Sequence, residues 1–459
     1  GKTPGWGTGG GGGVVSEGNP SYNSGVMTET ILHNTSSLDG LSERFPPEPH
    51  LHSEGFDPWP SVFVTQTYLS RAKGENMASI RPFQVDISKY VIDNILTKVS
   101  TFPWDLMSDD DGWEYGANLA YMKDLCRYWV EDFDWKTQEQ RLNEFSHFKT
   151  SVDGRDIHFI HERGSGGNPT PLLISHGWPG SVTEFLKIIQ PLAHPEKFGG
   201  NIEDAFDVVT PSLPGFGFSD PPPRPYGPRK MAGIFDRLMT ENLGYEKYVA
   251  QGGDWGGAIS SWLGFDHPQS CRAIHLNIMT MRHPDGPSGR EEEDWATAFE
   301  SDQELENGYR TQQATKPQTL AYAMVDSPVG IAAWITEKFK SWSDLEGEDI
   351  ESVYTKDELL TNIMVYITTA TFNTASWIYY GRREEGGRVL SPFGRRVEIP
   401  TGCAVFPKEL LAWPPQSYVS RVYNVTHWTE FPHGGHFAAM EHPDLLVEDI
   451  RKFVGGLII

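Results

Sequence analysis

Six short apolar runs between residues 172 and 425 set the strongest limit on how this chain can fold. They are Leu172-Leu173-Ile174, Phe206-Asp207-Val208-Val209, Tyr248-Val249-Ala250, Ala273-Ile274-His275-Leu276, Cys403-Ala404-Val405-Phe406 and Val422-Tyr423-Asn424-Val425. The first three lead into glycine-bearing turns, His176-Gly177, Pro214-Gly215 and Gly252-Gly253, and helical stretches separate the runs. Strands this uniformly apolar are buried on both faces, so the alternation predicts an α/β fold with a mostly parallel sheet covered by helices on both sides. The interval from Leu276 to Cys403 is too long for one crossover. Helical-looking segments near 291–301, 317–324, 328–340 and 357–378 fill it, which predicts an inserted helical cap. The sequence contains no internal repeat.

Upstream, residues 1–76 lack apolar periodicity and open with the glycine run Gly9 to Gly13, so they read as a disordered or loosely attached extension. Ordered-looking sequence begins at about Met77. A helix is predicted from the N-cap Ser88, with Val91, Ile92, Ile95, Leu96 and Val99 on one face. A second is predicted over about 116–131, with Leu119, Met122, Cys126, Trp129 and Val130 facing inward. Trp104, Trp113, Trp129 and Trp135 cluster around it, a density of large aromatics that suits packing onto another surface.

Charge narrows the partners. The 459 residues carry 38 Lys and Arg against 62 Asp and Glu, a net charge of −24. Nucleic acid and anionic membrane surfaces are disfavoured, because either needs clustered cations to displace counterions. Cys126, Cys271 and Cys403 are widely spaced and form no C-x-x-C, so neither a disulfide framework nor a structural zinc site is indicated. No run approaches the roughly 20 apolar residues that span a bilayer, and the N-terminus lacks the order of a signal peptide. The expectation is a soluble, cytoplasmic protein. Secretion and peripheral membrane association stay open, and Asn34-Thr35-Ser36 and Asn424-Val425-Thr426 fit the glycosylation tripeptide.

Three motifs carry chemistry. Gly252-Gly253-Asp254-Trp255-Gly256 follows a predicted strand and precedes a helix, which is the form of a nucleophile elbow with Asp where hydrolases more often place Ser. Small flanking residues let the strand turn sharply and lift Asp254 above the sheet. The competing reading is a glycine-rich turn whose Asp caps a helix. His176-Gly177-Trp178-Pro179-Gly180-Ser181 follows another strand, and the backbone N–H of Trp178 with that of Trp255 would form a two-donor oxyanion hole. Near the C-terminus, Phe431-Pro432-His433-Gly434-Gly435-His436 places His436 on a loop that can reach the elbow, with His433 as the near competitor. The carboxylate that orients the imidazole is expected at Glu409, after the preceding strand, with Asp285 as rival.

With Pro211-Ser212-Leu213-Pro214-Gly215-Phe216-Gly217-Phe218-Ser219, these motifs resemble the epoxide hydrolases of the α/β-hydrolase fold, the microsomal type and its soluble fungal relatives. The resemblance covers about residues 80–455. It includes an N-terminal meander marked by Arg81-Pro82-Phe83, Trp113-Glu114-Tyr115-Gly116, Trp135 through Asn143, and Asp153-Gly154 before His158-Phe159-Ile160-His161. The expected organisation is an extension (1–76), the meander (77–150), a first part of the hydrolase core (151–285), the helical cap (286–395) and a second part of the core (396–459). The resemblance implies Asp254 as nucleophile, His436 as base and Glu409 as its partner. It also implies two cap tyrosines as proton donors, matched by Tyr309 and Tyr379, with Tyr322 and Tyr380 as neighbours on which either match could fall.

The residue types suit an epoxide. A carboxylate can open the ring and leave an alkyl ester, tyrosine hydroxyls can protonate the departing alkoxide, and an imidazole can activate the water that hydrolyses the ester. No metal or cofactor is required, and Gly215-Phe216-Gly217 lacks the third glycine of a dinucleotide fingerprint. The expected partners are an apolar epoxide and water, and dimer contacts through the meander are allowed. Two other readings remain at this stage: a haloalkane dehalogenase using the same Asp, and a silent binding protein on a hydrolase scaffold.

Overall fold

In the computed structural model the described residues are 79–108, 112–347, 349–390 and 394–457. The predicted extension 1–76 lies outside them. Among the described residues nine strands form one sheet: β1 (Arg81–Pro82), β2 (His147–Val152), β3 (Arg155–Glu162), β4 (Thr170–Ser175), β5 (Phe206–Pro211), β6 (Tyr248–Gly252), β7 (Cys271–Leu276), β8 (Val397–Val405) and β9 (Tyr423–Glu430). Their order is β1-β2-β3-β5-β4-β6-β7-β8-β9. All pairings from β5 to β9 are parallel. Those from β1 to β5 are antiparallel. Each of the six apolar runs contributes to one of the parallel strands.

The antiparallel edge lies outside the six apolar runs. Its hairpin turns at Asp153-Gly154, where both residues take left-handed conformations, φ 53° and 76°. That is the backbone a tight hairpin needs, and Asp-Gly is its usual sequence.

Before the sheet, α1 (Lys89–Ser100), α2 (Leu119–Glu131) and α3 (Trp135–Leu142) build the meander. Ser88 caps α1 through the N–H of Val91. On α2 the inward stripe is Met122, Leu125, Cys126 and Trp129, whereas Val130, expected inside, is 39% exposed. Val130 lies roughly a quarter turn from the centre of that stripe, so Leu125 takes the buried place.

Helices α4 (Leu186–Ala193), α5 (Pro228–Arg237) and α6 (Asp254–Asp266) follow core strands. Between β7 and β8 come α7 (Arg290–Glu306), α8 (Gly308–Thr315), α9 (Pro317–Met324), α10 (Pro328–Trp342), α11 (Lys356–Thr368), α12 (Phe372–Ala375) and α13 (Trp377–Glu384). The chain ends with α14 (Gln416–Val422), α15 (Ala438–Glu441) and α16 (Pro443–Gly455). One face of the sheet packs on Ile188, Ile189 and Leu192 of α4 and on Leu446, Ile450 and Phe453 of α16. The other packs on α5 and α6 through Met231, Phe235, Ile259 and Leu263, in a core that continues into the cap.

The helix expected over 357–378 is broken. Thr368 and Thr369 turn their hydroxyls back onto the carbonyls of Met364 and Val365, and Ala370 takes a left-handed φ of 55°. Such back-bonding competes with helix propagation. The chain restarts as α12 and α13, which brings Tyr379 against α8.

The cap is tied down on two sides. Asp357 at the start of α11 accepts hydrogen bonds from Tyr128 on α2 and Gln138 on α3, both at 2.9 Å. Asn362 donates to the carbonyl of Pro179 (2.8 Å) and Tyr366 to that of Gly180 (2.7 Å), so α11 holds the loop that carries Trp178. Among the described residues no helix is long and apolar enough to cross a membrane. All three cysteines are buried and free.

Candidate active site

Asp254 opens α6 directly after β6, in a left-handed conformation with φ 45°. That geometry costs on the order of 1 kcal/mol for a non-glycine residue and persists only where the surroundings enforce it. The glycines around it enforce it by close approach. A Cβ on Gly256 would stand 1.8 Å from the Ser175 carbonyl oxygen, and one on Gly177 would stand 2.0 Å from Asp254 Oδ1. The elbow therefore brings the end of β4 and the start of α6 into contact. The N–H of Trp178 donates to Asp254 Oδ1 at 2.8 Å. Trp255 is the second residue of α6, where a backbone N–H has no partner inside the helix.

His436 Nε2 lies 3.5 Å from Asp254 Oδ2, and His436 Nδ1 lies 2.7 Å from Glu409 Oε1. The loops of the last two residues are stitched together, because the N–H of Lys408 donates to Gly434 O at 3.0 Å. The N–H of His436 also donates to Trp342 O at 2.9 Å, which fixes the imidazole against the end of α10. Glu409 Oε1 accepts a second bond from the N–H of Leu411 (3.2 Å), while Oε2 is buried without a partner. Burial opposes a charge on His436, but the carboxylates of Glu409 and Asp254 outweigh it and hold the imidazole well above its ordinary pKa.

Tyr309 on α8 and Tyr379 on α13 close the site from above. Their ring centroids are 5.8 Å apart; Tyr309 stacks on Trp178 at 5.1 Å, and Tyr379 meets the edge of Trp255 at 4.7 Å. Burial, with Asp254 adding to it, pushes Tyr309 above its ordinary pKa; at Tyr379 burial acts first, then Tyr309 and Asp254. Both hydroxyls thus stay protonated at neutral pH. The Tyr379 hydroxyl approaches Tyr309 and the Trp255 ring N–H but makes a hydrogen bond of good geometry with neither.

The rival residues lie elsewhere. Tyr322 is 78% exposed on α9, and Tyr380 is half-buried beneath the guanidinium of Arg383. Asp285 is exposed near His283, and exposed His433 packs its ring on His442.

Glu184 is a member of the site that sequence reasoning missed. It lies in the short helical turn Val182–Phe185, and its carboxyl packs so tightly under Gly180 that a Cβ there would meet Oε1 at 1.4 Å. Burial raises its pKa to about 8; Asp254 adds to this, while His436 and the N–H of Gly177 oppose it. The folded protein therefore binds this proton more tightly than the unfolded chain, whose ordinary value is 4.5. Its stabilising contribution is complete below about pH 4.5 and is lost as pH rises to about 8. Glu184→Gln removes the titration, so the variant's stability relative to the parent should grow by a few kcal/mol across that window and level off above it. Parallel melting curves over the same pH range would remove Glu184 from this role.

A narrow cavity, with about 30 Å³ of water-accessible space, lies among Asp254, Trp255, Tyr309 and Tyr379. A wider cavity, about 910 Å³, lies between the meander and α10 and contains none of these groups.

The chain is similar to known proteins in sequence and fold. Residues 80–185 fit the family model "Epoxide hydrolase N terminus", and residues 170–324 fit that of the alpha/beta hydrolase fold. Epoxide hydrolase 1 of Sus scrofa is 36% identical, the match covering 84% of this chain and 91% of that protein. The crystal structure of the juvenile hormone epoxide hydrolase from the silkworm Bombyx mori superposes with a TM-score of 0.74 at 29% identity, covering 82% of this chain and 94% of that one. The Aspergillus niger epoxide hydrolase gives 0.71 at 30% identity, covering 83% and 97%.

Proposed function

The chain belongs to the epoxide hydrolases of the α/β-hydrolase fold, and from that premise we propose that Asp254, His436, Glu409, Tyr309 and Tyr379 convert an epoxide to a vicinal diol through an enzyme-bound ester. The observation that carries this reading is the division of labour between the two oxygens of Asp254. Oδ1 is held by the N–H of Trp178, while Oδ2 faces His436 and the cavity. Oδ2 attacks an epoxide carbon, the ring C–O bond breaks, and the alkoxide takes a proton from Tyr309 or Tyr379.

In the second step a water between His436 Nε2 and the ester gives a proton to the imidazole and attacks the carbonyl carbon. The charge that develops on Oδ1 meets the N–H groups of Trp178 and Trp255, a preorganised oxyanion hole. Collapse expels the diol oxygen, which recovers the proton from His436, and the proton left on the Asp254 carboxyl returns to the tyrosinate. Ester formation itself prepares this step. It removes the negative charge on Asp254, one of the two carboxylates that hold the imidazole protonated, so the pKa of His436 falls and its proton passes to solvent, leaving a neutral base for the water; the enzyme takes that proton back when Asp254 is charged again.

The test is incubation with styrene oxide and, separately, 1-bromohexane. Phenylethanediol is expected from the first and no bromide from the second; bromide without diol would overturn the reading. Tyr309→Phe and Tyr379→Phe should each slow ring opening by about 10–100-fold, and the double variant by about 10³–10⁴-fold, the range of general acid catalysis. Rapid-quench measurement of ester formation reads this directly. A double variant as fast as the parent would mean that another group protonates the alkoxide.

A further inference from the structure

Three arginines share the cavity with the nucleophile. Arg310 follows Tyr309 on α8, Arg382 lies one helical turn beyond Tyr379 on α13, and Arg388 lies on the segment after α13; all three line the space that Asp254 and the tyrosines enclose. None forms a salt bridge or a side-chain hydrogen bond with a described residue. The guanidinium of Arg382 lies over the ring of Trp255, 4.8 Å from its centroid. Main-chain bonding fixes Arg388, whose carbonyl accepts the N–H of Arg282 at 2.9 Å.

A shortage of acids does not explain these unpaired charges, since the chain carries 62 Asp and Glu against 38 Lys and Arg. Other partly buried cations have partners: Arg229 with Asp266 and Arg421 with Glu292, both within 2.8 Å. Burial, Arg310 and other neighbouring guanidiniums pull Arg388 well below its ordinary pKa, and burial and Arg310 bring Arg382 down to about 10. Partly buried like charges that repel one another are costly unless an anion completes them. Asp254 is the carboxylate in this cavity, and ester formation would neutralise it.

We infer that Arg310, Arg382 and Arg388 form an anion subsite beside the nucleophile, and that the preferred substrate is an epoxide bearing a carboxylate or phosphate group. This rests on the proposed function and narrows its substrate class from an apolar epoxide to an amphipathic one. Ile278, Leu410 and Leu411, which line the same cavity, would take the apolar body while the guanidiniums take the anionic end. Guanidinium forks match both oxyanions, and Arg382, one helical turn from Tyr379, would fix which epoxide carbon faces Asp254 Oδ2.

The test begins with calorimetry, which needs no turnover. Phenylacetate should bind at least tenfold more tightly than its neutral isostere phenylacetamide, and Arg310→Gln and Arg388→Gln should each shrink that ratio severalfold. Arg383→Gln, on the exposed side of α13, should leave the ratio unchanged. Phenylphosphonate binding more tightly than phenylacetate would support the subsite and identify a phosphate as its anion. In turnover, 3-phenylglycidate should exceed its methyl ester in kcat/KM by at least tenfold, and the ratio within each variant cancels any general loss of activity. Equal binding of phenylacetate and phenylacetamide would overturn the inference even if styrene oxide is hydrolysed. Differential binding without any diol would uphold the anion subsite and count against the proposed function instead.

Discussion

Replacing Asp254 with Ala or Asn should lower diol formation from styrene oxide by at least about 10⁴-fold while the protein stays folded. The size follows from the proposed route: without the carboxylate no ester forms, and the remaining path is direct attack by water that the cavity does not position. The fold should survive because α6 is buried along its length and is held by Ala258, Ile259, Trp262 and Leu263 rather than by its first residue. Asn is the sharper variant. It tolerates the left-handed conformation at this position, and its amide oxygen can still accept from the N–H of Trp178. A melting temperature within a few degrees of the parent, together with loss of turnover, would assign the defect to chemistry. Isotopic water separates the routes in the parent itself. In a single turnover in ¹⁸O water the first diol should be unlabelled, since its new oxygen comes from Asp254, and the label should appear on that carboxyl. A labelled diol in the first turnover would mean that water attacks the epoxide directly.

The parts of the site that could be read from sequence are those in which backbone geometry dictates residue type. Gly252, Gly256 and Gly177 are needed because another main chain or the Asp254 carboxyl occupies the place of a Cβ, so the elbow and its facing loop are marked in the sequence. Chain order then pointed to His436 and Glu409, which the structure brings into contact at 2.7 Å. The tyrosines were different. α8 offers only Tyr309 and Ala314 as apolar surface, too little for a periodic stripe, so its helix went unread and Tyr309 came from family resemblance alone. α13 was hidden by the break at Ala370, where threonine back-bonding interrupts a pattern that looked continuous. Glu184 and the three arginines were invisible for a more general reason. A charge becomes informative when it lacks a partner or lies buried, and both are properties of the folded chain. The antiparallel edge is the opposite case, because Asp153-Gly154 is a plain hairpin signal in residue type alone, and its flanking strands carry no uniformly apolar run.

Replacing His436 with Gln should stop the reaction halfway, leaving substrate attached to Asp254. In the proposed mechanism ring opening requires Oδ2 of Asp254 and a tyrosine proton, and neither depends on the imidazole as a base. Ester formation should therefore proceed within about tenfold of the parent rate, while ester hydrolysis should slow by about 10³-fold, the usual scale for loss of a positioned base. The elbow peptide would then carry the added mass of one substrate. Glu409→Gln should give a milder form of the same defect, because the Nδ1 side of the ring keeps a hydrogen-bond partner but loses the charge that stabilises the imidazolium. The pH dependence has a definite sign. Water activation needs neutral His436, so hydrolysis of the ester should rise with pH through the imidazole pKa of the esterified enzyme. That value must lie below the one in free enzyme, where Asp254 is still charged and helps hold the proton. Single-turnover rates of ester decay against pH, compared with a direct titration of His436 in free enzyme by NMR, would measure the gap. Coincident values would mean that Asp254 does not control the base. An unmodified elbow peptide in His436→Gln, with ring opening blocked, would place His436 in the first step and remove it from water activation.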